Sequence, residues 1–193
     1  MRAVINISTT ILVAALLTVQ LTACVPIAVG GAAVGGSMAA DRRSSGIYIE
    51  DHEIEIKADN QISRQLGDKI HANVNSFNRN ILITGEAYDE ESKAKAESIA
   101  KTIENVKNIT NELVIGPTSS LSSRSNDAYI TSKVKANLLS QNRFPGVYVK
   151  VVTEKSSVFL MGIVTHKEAE DAADIARNIN GVTKVTKVFE YMD

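Results

Sequence analysis

Hydrophobic and polar residues alternate with a changing period along the last third of the chain, and each change predicts an element of secondary structure. Apolar residues recur at every fourth position over 130–138, which predicts an amphipathic helix that ends near Arg143. Apolar and polar residues then alternate over 147–151, as expected of a half-buried strand. After a turn, the apolar run 158–161 predicts a second strand.

A second helix and a last strand follow in the same region. Thr165 and Glu168 stand three residues apart, which is the spacing of a capping box at the start of a helix, and apolar residues recur at helical spacing over 172–179. Gly181 suits the left-handed conformation that ends many helices, and alternation over 185–191 predicts a strand. The predicted order of this unit is therefore αββαβ.

The same order of elements occurs twice in the chain. Residues 51–115 align with residues 127–191, and Asn105, which also tolerates the left-handed conformation, stands at the position equivalent to Gly181. We therefore predict an α+β protein with two tandem domains. Each domain is expected to have αββαβ order, with two helices packed on a three-stranded mixed sheet.

The predicted domain boundaries follow from this repeat and from composition. The first domain spans residues 50–115 and the second spans residues 126–193. The segment 116–125 begins with Gly and Pro and is rich in Ser, so it is predicted to be a linker. At about 65 residues each, the domains are close to the lower limit of independent stability.

The N-terminal segment differs in kind from the two repeats. Residues 3–40 carry no charge, and the apolar run 11–21 has the length of a signal-peptide core rather than of a membrane-spanning helix. Pro26 and several glycines follow this run, and such a composition is typical of a flexible tether. We predict a signal peptide over residues 1–23 and a tether over residues 24–49.

Composition argues against several functional classes. The 21 basic and 22 acidic residues give a net charge of -1, without the broad basic field of a nucleic-acid-binding protein, so we expect no nucleic-acid partner. One cysteine and three scattered histidines offer no spacing for a metal or redox site. The glycine-rich run 30–36 lacks the G-x-G-x-x-G pattern, and no nucleophile stands at a motif spacing from a base. We therefore predict a protein without a cofactor and without catalytic activity.

Both repeats resemble the BON domain family. The resemblance rests on the apolar strand that ends in glycine, 158–162, and on the segment 175–185, which reads IARNINGVTKV. The first repeat departs from the family pattern at Asn105. Together with the N-terminal features, the resemblance implies binding to anionic phospholipid such as phosphatidylglycerol or cardiolipin, a role in outer-membrane integrity, and a functional link to the β-barrel assembly machinery.

Residues 21–24, which read LTAC, resemble the lipobox of bacterial lipoproteins. This resemblance implies that the thiol of Cys24 is lipidated and that Cys24 becomes the first residue after cleavage. Acyl chains would anchor the protein, since each buried methylene contributes about 0.8 kcal/mol. Val25 resembles the second residue of lipoproteins that are sorted to the outer membrane of Gram-negative bacteria, so the expected location is the periplasmic face of that membrane.

The two predicted first helices differ in charge. Residues 50–66 carry five acidic and two basic side chains, whereas residues 126–143 carry one acidic and three basic side chains. Each Lys or Arg near anionic headgroups contributes about 1 kcal/mol to membrane binding. The second domain is therefore the better candidate for a membrane contact. The alternative hypothesis is that the acidic first domain docks a periplasmic or outer-membrane protein.

The predicted lipid-binding site lies on the first helix of the second domain. An aromatic ring and a lysine stand one helical turn apart, with a second lysine to one side, an arrangement that suits a headgroup contact. The predicted site comprises Tyr129, Ile130, Lys133, Val134, Lys135 and Leu138. On helical spacing alone, the three aliphatic members are core residues and the lysines are ordinary solvated side chains. The sequence leaves these alternatives open.

Overall fold

The computed structural model describes residues 41–193, which belong to one compact unit. The predicted signal peptide, the predicted lipidation site Cys24 and the predicted tether up to residue 40 lie outside the described residues. Within the described part, the two repeats form two domains, each with its own sheet and its own hydrophobic core.

Domain 1 contains two helices and a mixed sheet. Its elements are α1 (Ser45–Leu66), a 3-10 turn (Gly67–Lys69), β1 (Ile70–Phe77), β2 (Asn80–Ala87), α2 (Glu90–Ala100), β3 (Asn108–Asn111) and β4 (Val114–Ile115). Strand β2 is central, because β1 pairs with it in antiparallel orientation and the short strands β3 and β4 pair with it in parallel. The single last strand that the sequence predicts is thus divided in two. Leu113, in the break, is buried in the core.

Domain 2 repeats this plan with three strands. Its elements are α3 (Leu121–Ser140), a 3-10 turn (Gly146–Tyr148), β5 (Val149–Glu154), β6 (Ser157–Val164), α4 (His166–Arg177) and β7 (Lys184–Tyr191). Strand β6 pairs with β5 in antiparallel orientation and with β7 in parallel. Parallel neighbours need a crossover connection, which α4 provides here and α2 provides in domain 1. The predicted α+β fold and the αββαβ order are confirmed.

The helices of each domain cover one face of its sheet. In domain 2, Val158 and Leu160 of the central strand pack against Ile130 and Val134 of α3 and against Ile175 of α4. All five side chains are 1 % exposed or less. Since full burial of an aliphatic side chain contributes about 1.5–3 kcal/mol, this layer of contacts stabilises the domain. Domain 1 buries the equivalent residues of α1, α2 and β2.

Several local signals at the ends of elements are confirmed. Thr165 and Glu168 form the predicted capping box at the start of α4. Gly181 and Asn105 both have positive φ, at 97° and 66°, in the segments that follow the second helix of each domain. The left-handed region is open to glycine and tolerated by asparagine, which explains the equivalence of these two positions in the repeat.

Helix α3 is displaced toward the N-terminus relative to its predicted range. It begins at Leu121, inside the segment predicted as linker, because the Ser120 hydroxyl accepts a hydrogen bond from the N–H of Ser123 at 3.2 Å. It ends at Ser140 rather than near Arg143, and Asn142, just beyond the end, has a φ of 51°.

The tether also ends earlier than predicted, because residues 41–49 belong to the folded unit. Helix α1 starts at Ser45, and two adjacent arginines before it contact different domains. Arg42 donates two hydrogen bonds to the Glu168 carboxylate of domain 2, at 2.7 and 2.8 Å. Arg43 donates to Asp51 of domain 1 at 2.8 Å. Charge-assisted hydrogen bonds of this kind are strong enough to order the segment.

A buried aspartate from the first helix holds the hairpin turn of each domain. Asp127 is 5 % exposed, and its carboxylate accepts hydrogen bonds from the backbone N–H groups of Lys155 and Ser156 at 2.9 and 2.8 Å. Both turn residues have positive φ, as in the type I′ turns that match the twist of a hairpin. Asp51 binds the equivalent turn of domain 1, at Asn78 and Arg79.

The two domains meet through the sheet faces that their helices leave uncovered. Phe77 and Leu82 of domain 1 form a buried cluster with Phe159 and Met161 of domain 2, each 5 % exposed or less. Leu82 and Phe159 lie between core-facing neighbours on their strands, so the two-residue period of a strand directs them to the opposite face. The layers therefore run helices, sheet, sheet, helices.

Polar pairs surround this apolar contact. Lys155 lies 3.0 Å from the Glu86 carboxylate, Asn73 donates to Glu154 at 2.9 Å, and each of these pairs joins one domain to the other. Lys150 of domain 2 pairs with Glu55 of domain 1 at another point of the same rim. These contacts fix the rotation of one sheet on the other, because each places a charged or amide group opposite a specific partner.

The two buried carboxylates of the rim have pKa values displaced in opposite directions. Burial alone would raise the pKa of Glu86, but hydrogen bonds from Ser119 and Lys155 outweigh it, so this pKa lies below its usual value. Burial, together with the nearby charges of Glu86 and Asp127, raises the pKa of Glu154 despite its hydrogen bond from Asn73. Folding therefore favours the ionised form of Glu86, whereas ionisation of Glu154 lowers the stability of the folded protein.

We expect replacement of Asp127 by alanine to destabilise the protein by about 2 kcal/mol, because two backbone donors of the turn lose their acceptor. Chemical denaturation with urea measures the free energy of unfolding. Asp59→Ala is the control, since Asp59 is exposed on α1 and should change this free energy by less than about 0.5 kcal/mol. Equal effects of the two substitutions would contradict the role of the turn contact.

We expect Glu154→Gln to stabilise the protein at neutral pH and to have little effect at acidic pH. The raised pKa means that the folded state binds this proton more tightly than the unfolded state does. Stability is therefore lost as pH rises from the ordinary glutamate pKa through the folded-state pKa. Urea denaturation of both proteins across this pH range measures the difference, and a difference that does not vary with pH would contradict the prediction.

Candidate functional site

One face of helix α3 lies in the domain 2 core. Ile130, Val134 and Leu138 are 1 %, 0 % and 1 % exposed, because their four-residue spacing keeps all three on the side that packs on the sheet. The prediction that these three residues contact lipid is therefore wrong for the folded domain. They hold the helix in place, and the residues between them form the surface.

The remaining predicted site residues lie together on the exposed side of the helix. Tyr129 is 56 % exposed, and Lys133 and Lys135 are exposed as well. The Lys133 ammonium lies 4.9 Å from the centre of the Tyr129 ring. A cation–π contact at such an exposed position contributes about 0.5–1 kcal/mol, so it orders the two side chains beside each other. Neither lysine has an acidic partner within residues 41–193.

Two exposed leucines extend this surface beyond the predicted residues. Leu121 is 76 % exposed and Leu139 is 57 % exposed. Leu121 was missed because the sequence analysis placed it in the linker. Leu139 could have been found, because its position two and a half helical turns after Ile130 puts it on the opposite side of the helix from that core residue. The α3 outer face is defined here as Leu121, Ser125, Ala128, Tyr129, Ser132, Lys133, Lys135, Ala136 and Leu139, all of which are exposed.

The α3 outer face carries positive charge without negative charge. Asp127 is the only acidic residue of α3, and it is buried with both carboxylate oxygens bound to the hairpin turn. Small Ser and Ala side chains separate the two leucines, the tyrosine and the lysines. A helix with this surface can lie in a headgroup layer, because its apolar side chains enter the interface while the cations approach phosphates.

The acidic side chains of α1 are mostly engaged within the protein. Asp51 binds Arg43 and a hairpin turn, Glu55 pairs with Lys150, and Glu50 pairs with Arg79 at 2.5 Å. Glu53 pairs with Lys57 one turn away on the same helix at 3.2 Å. The negative charge that the sequence assigns to the first helix is thus used largely for internal contacts rather than for a docking surface.

The described residues show neither a membrane span nor a metal site. No helix among residues 41–193 has the length and apolarity needed to cross a bilayer. Within the same residues, His, Cys, Asp and Glu side chains form no group that could hold a metal ion.

Comparison with known proteins agrees with the two-domain architecture. The model of the BON domain family matches residues 51–117 and, separately, residues 126–193. The chain belongs to the BON domain family. Both matches coincide with the two repeats described above, so each αββαβ unit is one BON domain.

The chain is similar to three known proteins over half or more of the length of each. Outer membrane lipoprotein DolP of Haemophilus influenzae is 38 % identical over 178 residues, which cover 91 % of this chain and 92 % of that protein. The 21 kDa hemolysin of Actinobacillus pleuropneumoniae is 34 % identical over 79 % of each chain. Osmotically-inducible protein Y of Escherichia coli is 34 % identical over 49 % of this chain and 50 % of that protein. The chain is thus a dual-BON protein of the DolP family of outer-membrane lipoproteins.

We expect substitutions on the two sides of the second BON domain's first helix to differ sharply in their effect on stability. Ile130→Ala should lower the free energy of unfolding by about 2–5 kcal/mol, because it leaves a cavity in the core. Tyr129→Ala should lower it by about 1 kcal/mol at most, because the ring is largely exposed and loses only its contact with Lys133. Urea denaturation of both variants measures this contrast. A large loss of stability for Tyr129→Ala would show that the ring is packed rather than exposed.

Proposed function

We propose that this protein is anchored by lipidated Cys24 to the periplasmic face of the outer membrane and binds anionic phospholipid through the α3 outer face. The single observation that carries the proposal is the composition of that face. It presents an exposed tyrosine, two exposed leucines and two lysines, and the one acidic residue of its helix is buried. The similarity to an outer-membrane lipoprotein of Haemophilus influenzae supports the location.

The physical basis of binding is an interfacial contact. Tyr129 places an aromatic ring with a polar hydroxyl beside the ammonium of Lys133, and such amphipathic side chains favour the headgroup level of a bilayer. Leu121 and Leu139 lie near opposite ends of the helix and provide apolar contacts along its length. Phosphatidylglycerol and cardiolipin carry the negative charge that the unpaired lysines require.

The wider role follows from this contact and from the family. A protein held at the inner surface of the outer membrane by its lipid and by α3 is placed where β-barrel proteins insert. We propose that it supports outer-membrane integrity and the work of the β-barrel assembly machinery from that position. The internal pairing of the α1 acids supports the lipid-binding role over docking of a basic partner by domain 1.

Sedimentation with vesicles tests the lipid contact. A soluble form that comprises residues 25–193 should pellet with vesicles containing phosphatidylglycerol and should remain in solution with neutral phosphatidylcholine vesicles. Replacement of Lys133 and Lys135 by glutamine should weaken binding roughly thirtyfold, since each lysine contributes about 1 kcal/mol near anionic headgroups. Added salt should weaken binding of the wild-type protein, because exposed charges are screened.

The matched control removes the same charge from domain 1. Lys69 and Lys95 are exposed and form no ion pair within the described residues, so their replacement by glutamine should leave vesicle binding nearly unchanged. Equal pelleting of the wild-type protein with neutral and anionic vesicles would overturn the proposal. An equal loss of binding in the two double variants would show that only net charge matters and would also overturn it.

A further inference from the structure

An open cavity of about 330 Å³, lined mostly by polar residues, lies between the two domains beside helix α3. One wall is formed by β1 and β2 of domain 1, on the sheet face that points away from the core of that domain. The other wall is formed by α3 and β5 of domain 2. The volume falls within the range of about 300–1,000 Å³ that is typical of small-molecule sites. None of the side chains of the α3 outer face that carry the proposed lipid contact, Tyr129, Lys133 and Lys135, lines it.

A buried hydroxyl in the wall of this cavity lacks a partner. Thr84 is fully buried and lines the cavity, yet its Oγ1 forms no hydrogen bond with any described residue. A buried polar atom without a partner is costly, and buried polar groups in native proteins are nearly always satisfied. Because this Oγ1 has no exposed surface in the structure, rotation of the Thr84 side chain is needed to turn it toward a ligand hydroxyl in the cavity.

A second buried group in the wall has capacity for a further hydrogen bond. Glu154 is 6 % exposed, and Asn73 donates to its Oε2 at 2.9 Å. Among residues 41–193 no donor to its Oε1 is found, and Asn75, which also lines the cavity, has a side-chain amide free of hydrogen bonds within that range. The wall thus combines a carboxylate that requires a donor with an amide and a hydroxyl that can donate or accept.

The charges around the cavity restrict the class of ligand. Two acidic residues, Asp127 and Glu154, and one basic residue, Arg124, are the charged residues that line it. This balance disfavours an anion, because the two carboxylates would repel it. A cation would suit the carboxylates but could not accept a hydrogen bond from Thr84 or Asn75. A hydroxyl group meets both requirements, since it donates to a carboxylate and accepts from an amide or another hydroxyl.

We propose that this cavity binds a neutral, hydroxyl-rich unit of monosaccharide size, either a sugar or a polyol. Its hydroxyls pair with Thr84, Asn75 and Glu154, and Arg124 donates from the helix side. The ligand contacts both BON domains at once, so its binding stabilises their present arrangement. The site adjoins the α3 outer face, since Ala128 belongs to both, but it uses none of Tyr129, Lys133 and Lys135.

An NMR titration of the full-length lipidated protein tests the proposal. The protein is held in a zwitterionic detergent without sugar headgroups, and glucose and glycerol are the two probes. We expect saturable chemical-shift changes at the side-chain amides of Asn73 and Asn75 and at the backbone amide of Thr84 with at least one probe. No saturable change with either probe would overturn the proposal, because the cavity then holds only water.

Two threonine variants separate binding from stability. Thr84→Val removes the unpartnered hydroxyl at constant shape and should weaken binding by about tenfold, the effect of one lost hydrogen bond. Thr186→Val is the matched control, because its Oγ1 is also buried without a partner in the described residues but lies outside the cavity. Both variants should raise Tm, and only Thr84→Val should weaken the shift changes.

Unchanged binding in Thr84→Val, or an equal loss in Thr186→Val, would overturn the assignment of the site. Asn75→Ala is a second test that does not depend on Thr84, and this substitution should also weaken binding of the probe. The titrations of these variants test the cavity whether or not the protein binds vesicles, since glucose and glycerol carry no acyl chain and no charge.

Discussion

The contact between the two uncovered sheet faces constrains the rest of the molecule. A small sheet with helices on one side leaves its other face open to water, and an apolar open face must be covered for the domain to be stable. Each domain covers the other, through Leu82 and Phe77 on one side and Phe159 and Met161 on the other. As a consequence the four helices of residues 41–193 lie on the outside. The surface of α3 is exposed because its domain is covered on the opposite face by a second copy of the same fold.

The same contact also decides where charge remains on the surface. Lys150, on the uncovered face of the second sheet, reaches Glu55 of α1, and Lys155, in the hairpin turn beside it, reaches Glu86. The rim therefore pairs acidic groups of domain 1 with basic groups of domain 2, and one of them, Glu55, belongs to the acidic helix α1. On α3 the pairing has the opposite result, because its one carboxylate, that of Asp127, is buried and its lysines stay free.

Much of the fold of each domain could be predicted from the sequence, because its determinants are local. The period of apolar residues fixed the order of elements, and the capping box at Thr165 and the left-handed residues Asn105 and Gly181 marked helix ends correctly. The start of α1 has a local signal that the sequence analysis missed, because the Ser44 hydroxyl accepts a hydrogen bond from the N–H of Ile47 at 3.3 Å. The pairing of Arg42 with Glu168, which lies in domain 2, could not be predicted in this way. Contacts between residues that are far apart in the sequence do not affect the period of apolar positions, so this period cannot predict them.

The candidate site shows the same division between local and distant information. Helical spacing separates Tyr129 and Lys133 from the core residue Ile130, so the two sides of α3 can be distinguished from sequence. The interdomain cavity could not be found in this way, because Thr84 is one of several polar residues in β2, with Asn80 and Glu86, and nothing local distinguishes it. Its lack of a partner becomes visible only when α3 and β5 are placed opposite it.

A surface with few cations is sufficient for the proposed membrane contact when the protein is already anchored. Two lysines at about 1 kcal/mol each give only weak binding to a free protein in solution. In the proposed arrangement, an acyl anchor at Cys24 would make the second contact intramolecular, so its effective concentration would be set by the chain between the anchor and the folded domains rather than by the amount of protein. Residues 41–49 are ordered on the folded domains and so would not add to the length of that connection. By holding this segment, Arg42 and Arg43 would favour the proposed contact of α3 with the bilayer.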